Sequence, residues 1–242
     1  MNLSDHYDMS PDEYWGSDIY INKYSHDDEF FSGEIETAKR LIKFHEGMKV
    51  LDVGAGLGRA MRALENQGFD AFGLEPSKAF YEKAVMLNNF DEKKFVMNSV
   101  EEAEFPENHF DFITFGAVLE HVYSPASALE ACTKWLRPGG VIHVEVPSSD
   151  YLMAKLINLY NMLRITNLVT NLSPMHPPFH LHEFTLKSFV EHGARAGYDV
   201  VESQRFVGPV RHGPMVIRRA LRSYMARSGT GMQLQVWLRK RG

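Results

Sequence analysis

The chain is expected to be an α/β protein, with a largely parallel sheet covered by helices on both faces. Three observations predict this. Short apolar runs recur at 48–54, 70–76, 93–99, 110–118 and 141–147. Segments of helical period lie between most of them, and the order stays regular up to Pro147. Strands buried on both faces read as nearly continuous apolar runs, as these do. Right-handed crossovers then leave few topologies.

Taken in order, residues 27–45 place Phe31, Ile35, Ala38, Leu41 and Ile42 on one helical face. Asp27 and Asp28 suit the start of that helix and Gly47 its end. `MKVLDVG` is a buried strand, and `RAMRALENQG` a helix closed by Gly68. `DAFGLEP`, the helix `KAFYEKAVML` and the strand `KKFVMNS` follow. `FDFITFGAV` comes after the turn `PENH`, and the helix `PASALEACTKWL` is stopped by `RPGG` before `VIHVEVP`. From Ser148 the rhythm changes. Residues 150–182 are long, apolar and helical in their first half, an inserted cap rather than a simple crossover. Thr185 caps a helix over 185–194. The strand `DVVESQRFV`, the basic helix `MVIRRALRSYMA` and the strand `MQLQVWLR` complete the chain.

Composition excludes several function classes. The single Cys132 rules out an internal disulfide and any cysteine-based metal cluster. It lies in an apolar helical stretch and is expected to be a buried structural thiol. No run of 18 apolar residues exists, so no membrane span is expected. The N-terminus is acidic and lacks the apolar segment of a signal peptide, which predicts a cytoplasmic protein. Charge is uneven: residues 1–36 carry ten acids and one base, whereas 203–242 carry nine Lys or Arg and no acid. The basic stretch with Arg218, Arg219, Arg222 and Arg227 is short and interrupted by core-like residues, so it does not define a nucleic-acid reader. It leaves an anionic substrate or a homodimer open.

The chemistry centres on `VLDVGAGLGR`. Gly54, Gly56 and Gly58 alternate where a buried strand hands over to a helix. Such a turn lets backbone approach a ligand and presents a helix N-terminus. Glu75, at the end of the second strand, puts a carboxylate into the same crevice, where it can accept hydrogen bonds from ribose hydroxyls. Asp52 is an acid inside an apolar strand, and burying it is costly without turn amides or a cationic ligand. A dinucleotide site would use a related pattern.

`VLDVGAGLG`, `GLEPS`, `FDFITFGAVLEHV` and `LRPGGVIHVEVP` together resemble, in order and spacing, the motifs of Rossmann-like methyltransferases that use S-adenosylmethionine. The match spans about 50–148, and its nearest likeness is to small-molecule methyltransferases related to those of ubiquinone biosynthesis. It implies a seven-stranded, mostly parallel sheet with an antiparallel last strand and a helical cap after strand five. It also implies one domain: an aromatic segment and helix (1–46), a cofactor core (47–148), a cap (149–183) and a C-terminal part (184–242). Asp52, Gly54, Ala55, Gly56 and Gly58 would surround the amino-acid half of the cofactor. Glu75 and Pro76 would meet the ribose. Ser99 stands where the family usually has an Asp for the adenine, with Val100 and Glu101 beside it. Phe115, Gly116 and Ala117 would line the methionine side, and the helix start at His121 would shape that pocket.

The reaction implied is methyl transfer by in-line displacement, in which positioning lowers much of the barrier and a hydroxyl or ammonium acceptor needs a base. Oxygen is preferred as the acceptor atom, with nitrogen open, and a small molecule is the expected partner. His180 and His176 in the cap are the candidate bases. The cluster His180, His182, Glu183 is read as a cap-to-helix junction, and no metal is expected. Tyr14, Trp15, Tyr20 and Tyr24 look like a second wall of the pocket. The competing readings are an NAD-dependent oxidoreductase, from which the terminal antiparallel strand would separate it, and a cofactor-binding protein without catalysis.

Overall fold

The computed structural model describes residues 30–166, 180–210 and 214–242. Helix α1 (Ser32–Ile42) leads into β1 (Lys49–Val53), α2 (Arg59–Asn66), β2 (Asp70–Leu74), α3 (Lys78–Asn88) and β3 (Phe95–Val96). Then come β4 (Phe110–Gly116), α4 (Pro125–Trp135), β5 (Leu136–Pro147), α5 (Leu152–Leu163), α6 (Leu186–Ala196), β6 (Tyr198–Phe206), α7 (Met215–Ser228) and β7 (Gln233–Lys240). The sheet runs β3-β2-β1-β4-β5-β7-β6. Only β7 is antiparallel to its neighbours, β5 and β6. The seven-stranded sheet with an antiparallel final strand is therefore present.

β1 is central because four of its five residues are buried. It pairs in parallel with β2 on one side and β4 on the other. The chain runs outward through β2 and β3 before crossing back to β4, so a crevice opens where β1 and β4 diverge at their carboxyl ends. Alternate residues feed two cores. Leu51, Ile113 and Ile142 join one cluster, with Leu129, Cys132 and Phe189 of α4 and α6. Val50, Phe112 and Val141 join the other, with Ile35, Met61 and Ala84 of α1, α2 and α3. Gly73 sits under this second layer, and a Cβ there would meet Phe95 Cδ2 at 2.8 Å.

Some boundaries differ from expectation. α1 stops at Ile42, with Lys43 in a left-handed C-cap, before Gly47 is reached. Its expected start at Asp27 and Asp28 lies outside the described residues. β3 shrinks to two residues, an edge strand paired with β2 alone. β5 begins at Leu136 rather than Val141, because `RPGG` bulges between the pairs Phe110–Leu136 and Phe112–Val141 instead of ending the ladder. Thr185 does cap α6, in a capping box with Ser188. In α5 only Ala154 is buried, while Leu156, Leu159, Met162 and Leu163 are exposed. Residues 167–179 of the expected cap, and the four N-terminal aromatics, lie outside the described residues.

Candidate active site

A cavity of about 460 Å³ occupies the crevice at the carboxyl ends of β1, β2 and β4. Its floor is the glycine turn. Gly54, Gly56 and Gly58 all have positive φ, at 68°, 56° and 79°. At Gly54 the constraint is double, since a Cβ would also meet Val118 Cγ2 at 2.6 Å. Gly58 does not line the cavity; it is the N-cap that starts α2. Ala55 N–H donates to Leu74 O at 2.8 Å, which seats the turn on β2.

Glu75 locks that arrangement from the other side. Its Oε2 accepts from Gly56 N–H at 2.7 Å and its Oε1 from Ser77 N–H at 2.8 Å. The carboxylate is 6% exposed, not the open crevice residue its strand-end position implies. Burial raises its pKa to about 7, opposed by the two amides. Each oxygen keeps a second lone pair for a ligand hydroxyl. Asp52 is buried beside it, and its Oδ2 has no hydrogen-bond partner among the described residues. Burial first, and the neighbouring Glu75 second, raise Asp52 to about 7. The floor is thus two desolvated acids, one with an unused oxygen, next to backbone with no side chains.

Pro76, Ser99, Val100, Glu101, Gly116 and Ala117 also line the cavity. Glu101 Oε1 accepts from Tyr123 N–H at 3.1 Å, which ties this wall of the cavity to the loop before α4. Ala117 N–H donates to Glu145 O at 3.0 Å and has φ 56°, so the chain turns sharply as it leaves β4. Phe115 is buried in the first core and does not reach the cavity.

At the rim the histidines are arranged otherwise than expected. His121 lines the cavity, whereas His180 does not. The His180 ring stands behind it, edge-on, with centroids 4.8 Å apart. Leu181 N–H and His182 N–H both donate to Glu120 O, at 2.8 and 3.3 Å, and a His182 ring nitrogen meets Tyr123 O at 3.3 Å. This pins the end of the cap to the start of α4's approach. Glu120 Oε1 lies 3.9 Å from His121 Nε2, and burial raises the Glu120 pKa to about 8. His176 lies outside the described residues. Cys132 is buried and burial pushes its thiol pKa up, the inert thiol its sequence context predicts.

Sequence reasoning did not single out Glu34, Arg59, Asn98, Thr114 or Glu145, all of which line the cavity. For Glu145 the signal was there: an acid in the apolar strand `VIHVEVP`, the same anomaly that marked Asp52. Arg59 adjoins the glycine motif, and its guanidinium stacks over Phe30 at 3.9 Å. Glu34 carried no such mark, being one of many acids near the N-terminus.

An antiparallel β7 set between β5 and a parallel β6 defines the sheet as that of the Rossmann-like methyltransferases, and it is the feature that separates them from dinucleotide oxidoreductases. The chain belongs to the methyltransferase-domain family, whose model matches residues 24–203. A ubiquinone biosynthesis O-methyltransferase of Alkalilimnicola ehrlichii is 38% identical over 98 residues, 39% of this chain and 40% of that protein. The match thus spans well under half of this curated relative. Among solved structures, an S-adenosylmethionine-dependent methyltransferase from Archaeoglobus fulgidus superposes with a TM-score of 0.61 at 15% identity, covering 92% of this chain and all (100%) of that one. The 1,6-didemethyltoxoflavin-N1-methyltransferase of Burkholderia thailandensis, with S-adenosylhomocysteine bound, gives a TM-score of 0.57 at 19% identity, covering 96% and 84%. At these identities the likeness is one of fold.

The residues present fit S-adenosylmethionine. Asp52 Oδ2, without a hydrogen-bond partner among the described residues, suits a cationic ligand, and Gly54 and Gly56 line the cavity without side chains. The lone pairs left on Glu75 suit vicinal hydroxyls.

Proposed function

We propose that the protein transfers a methyl group from S-adenosylmethionine to a hydroxyl oxygen of a small molecule, with His121 as the base. The observation that carries this reading is the pair of buried acids, Asp52 and Glu75, set against the glycine turn in one cavity. A preference for oxygen draws on the relatives named as O-methyltransferases.

When bound, the cofactor supplies a methyl carbon that leaves sulfur, with the bonding electron pair staying on sulfur, as the acceptor oxygen bonds to it. The chain's own residues bind, orient and move a proton. Asp52 and the turn hold the amino-acid half, and Glu75 with Pro76 holds the ribose. Asn98, Ser99 and Val100 enclose the adenine, where Ser99 replaces the family's usual Asp. His121 faces the cavity and takes the hydroxyl proton, and His180 packs on its ring to hold it there. This moves the base from His180, the residue favoured by sequence, to its neighbour.

The proposal includes a cytoplasmic site of action. No helix among the described residues is long and apolar enough to cross a membrane. Pairing of two copies, open from sequence, is checked by sedimentation equilibrium. The functional test is release of S-adenosylhomocysteine with panels of small phenols, aliphatic alcohols and amines. Turnover with hydroxyl acceptors supports the reading. Turnover with amines alone overturns the oxygen assignment, and none with any acceptor, despite bound cofactor, overturns the catalytic one.

A further inference from the structure

The sheet face that carries Asp52 continues as a polar row away from the glycine turn. Asp52, Thr114, His143 and Trp237 stand at matching register on β1, β4, β5 and β7. The next row holds Gly116, Glu145 and Gln235. Glu34 reaches it from α1, and Glu34 and Glu145 both line the cavity.

One ring nitrogen of His143 and one carboxylate oxygen from each of Glu34 and Glu145 lie within 4.8 Å of one another. His143 is fully buried. Its Nδ1 meets Thr114 Oγ1 at 2.9 Å, which leaves Nε2, and Nε2 has no hydrogen-bond partner among the described residues. Gln235 Nε2 donates to Glu34 Oε1 at 2.8 Å and to Glu145 Oε2 at 3.1 Å. A single amide therefore orients both acids.

We propose that Glu34, His143 and Glu145 bind a divalent metal ion at the acceptor end of the cavity. The orphaned nitrogen is the decisive feature. An imidazole buried for packing alone loses a hydrogen bond at one nitrogen for nothing, and two carboxylates held side by side repel each other. A cation resolves both costs. The outer contacts are those of a ligating set. With the hydrogen on Nδ1, that nitrogen donates to Thr114 Oγ1 and a lone pair is left on Nε2, while Gln235 braces the carboxylates. One nitrogen and two oxygens favour a transition ion such as Mn²⁺, Fe²⁺, Co²⁺ or Zn²⁺ over Ca²⁺. Three protein ligands beside a cavity leave coordination positions open toward it, the pattern of a working site rather than a structural one. On the methyl-transfer reading, and resting on it, those positions face the acceptor, whose hydroxyl gives up its proton more readily on a cation. Binding of the ion does not depend on that reading.

The test is titration of the full chain with Mn²⁺, followed by the electron-paramagnetic signal of the free ion. S-adenosylhomocysteine affinity is measured on the same samples. The parent is expected to bind one equivalent. E34Q and E145Q keep size and lose charge, and each is expected to weaken Mn²⁺ by about tenfold or more, roughly 1.4 kcal/mol. Both variants are expected to bind S-adenosylhomocysteine like the parent, which shows that the fold is intact. Quenching of Trp237, whose ring lies 4.6 Å from that of His143, by bound Co²⁺ locates the ion. Failure of the parent to bind Mn²⁺ overturns the proposal. So does binding that is equal in parent and E34Q/E145Q double variant, which would put the ion elsewhere, for instance at Glu120, His121 and His180. If Mn²⁺ binds at this site while S-adenosylhomocysteine does not, the metal site stands and the methyl-transfer reading fails.

Discussion

On the proposed reading, the cofactor half of the cavity is lined by residues 52–56, 59, 60, 74–77 and 98–101, which lie at or just beyond the ends of β1, β2 and β3. The acceptor half draws Glu34 from α1, His121 from the approach to α4, Glu145 from β5 and the supporting His180 from the end of the cap. The first half is closed by hydrogen bonds such as those from Gly56 and Ser77 to Glu75, 19 and 2 residues away in sequence. The second is held by contacts far apart in sequence, such as Gln235 to Glu34 and Leu181 to Glu120. A half built from local turns should fail when a turn is distorted. A half built from converging side chains should lose chemistry while keeping the cofactor.

The sharpest break between the halves comes from His121→Ala. Loss of a positioned base costs roughly 10²–10⁴-fold in rate. Turnover should fall by that order, while S-adenosylhomocysteine affinity, read by calorimetry, stays close to that of the parent. His180→Ala should cause a smaller loss and shift the pH–rate profile, because it supports the ring without facing the cavity. Equal losses for the two would return the base to His180.

Gly54→Val strikes the other half. The new side chain meets Val118 at a backbone position with φ 68°. Cofactor affinity should drop by about a hundredfold, near 2.7 kcal/mol. A drop in turnover at unchanged affinity would mean that the turn does not carry the ligand.

Glu75→Gln is next in size. A neutral amide replaces two charge-assisted bonds, each worth roughly 1.5–3 kcal/mol. Affinity should fall more than about tenfold. The melting temperature should fall too, since Glu75 also ties the glycine turn to β2. Lost affinity with an unchanged melting temperature would deny that second role.

The smallest effect is a proton linkage. Asp52 and Glu75 titrate near 7 in the folded chain, against 3.8 and 4.5 as ordinary values. Between those limits the folded protein binds protons that the unfolded chain has released. Stability without ligand should therefore fall as pH rises from about 4.5 to about 7. A cationic ligand favours the ionised acids, so S-adenosylmethionine affinity should rise a few-fold from pH 6 to 7, and more steeply than that of its uncharged-sulfur product. Thermal melts with and without cofactor across this range check both signs.

The contrast also explains what could be read in the chain. The glycines, Asp52 and Glu75 are anomalies within single strands and turns, so pattern alone exposed them. The sheet followed from apolar runs, and the antiparallel final strand came with the family resemblance. `RPGG` does follow the end of α4 at Trp135, but it also lies within β5, which only the pairing with Phe110 and Phe112 reveals. His121 was passed over in favour of His180 because which of two packed rings faces a cavity is decided by the cap folding back onto Glu120. Glu34 meets Gln235 across 201 residues of sequence, a distance over which no periodicity carries information.

The central claim is that two buried acids and a bare glycine turn hold a sulfonium cofactor. Calorimetric titration of the chain at pH 7.5 with S-adenosylmethionine, S-adenosylhomocysteine and NAD tests it most directly. The account predicts one-to-one binding of both sulfur compounds and no heat from NAD. Saturable binding of NAD with no response to either sulfur compound would contradict it.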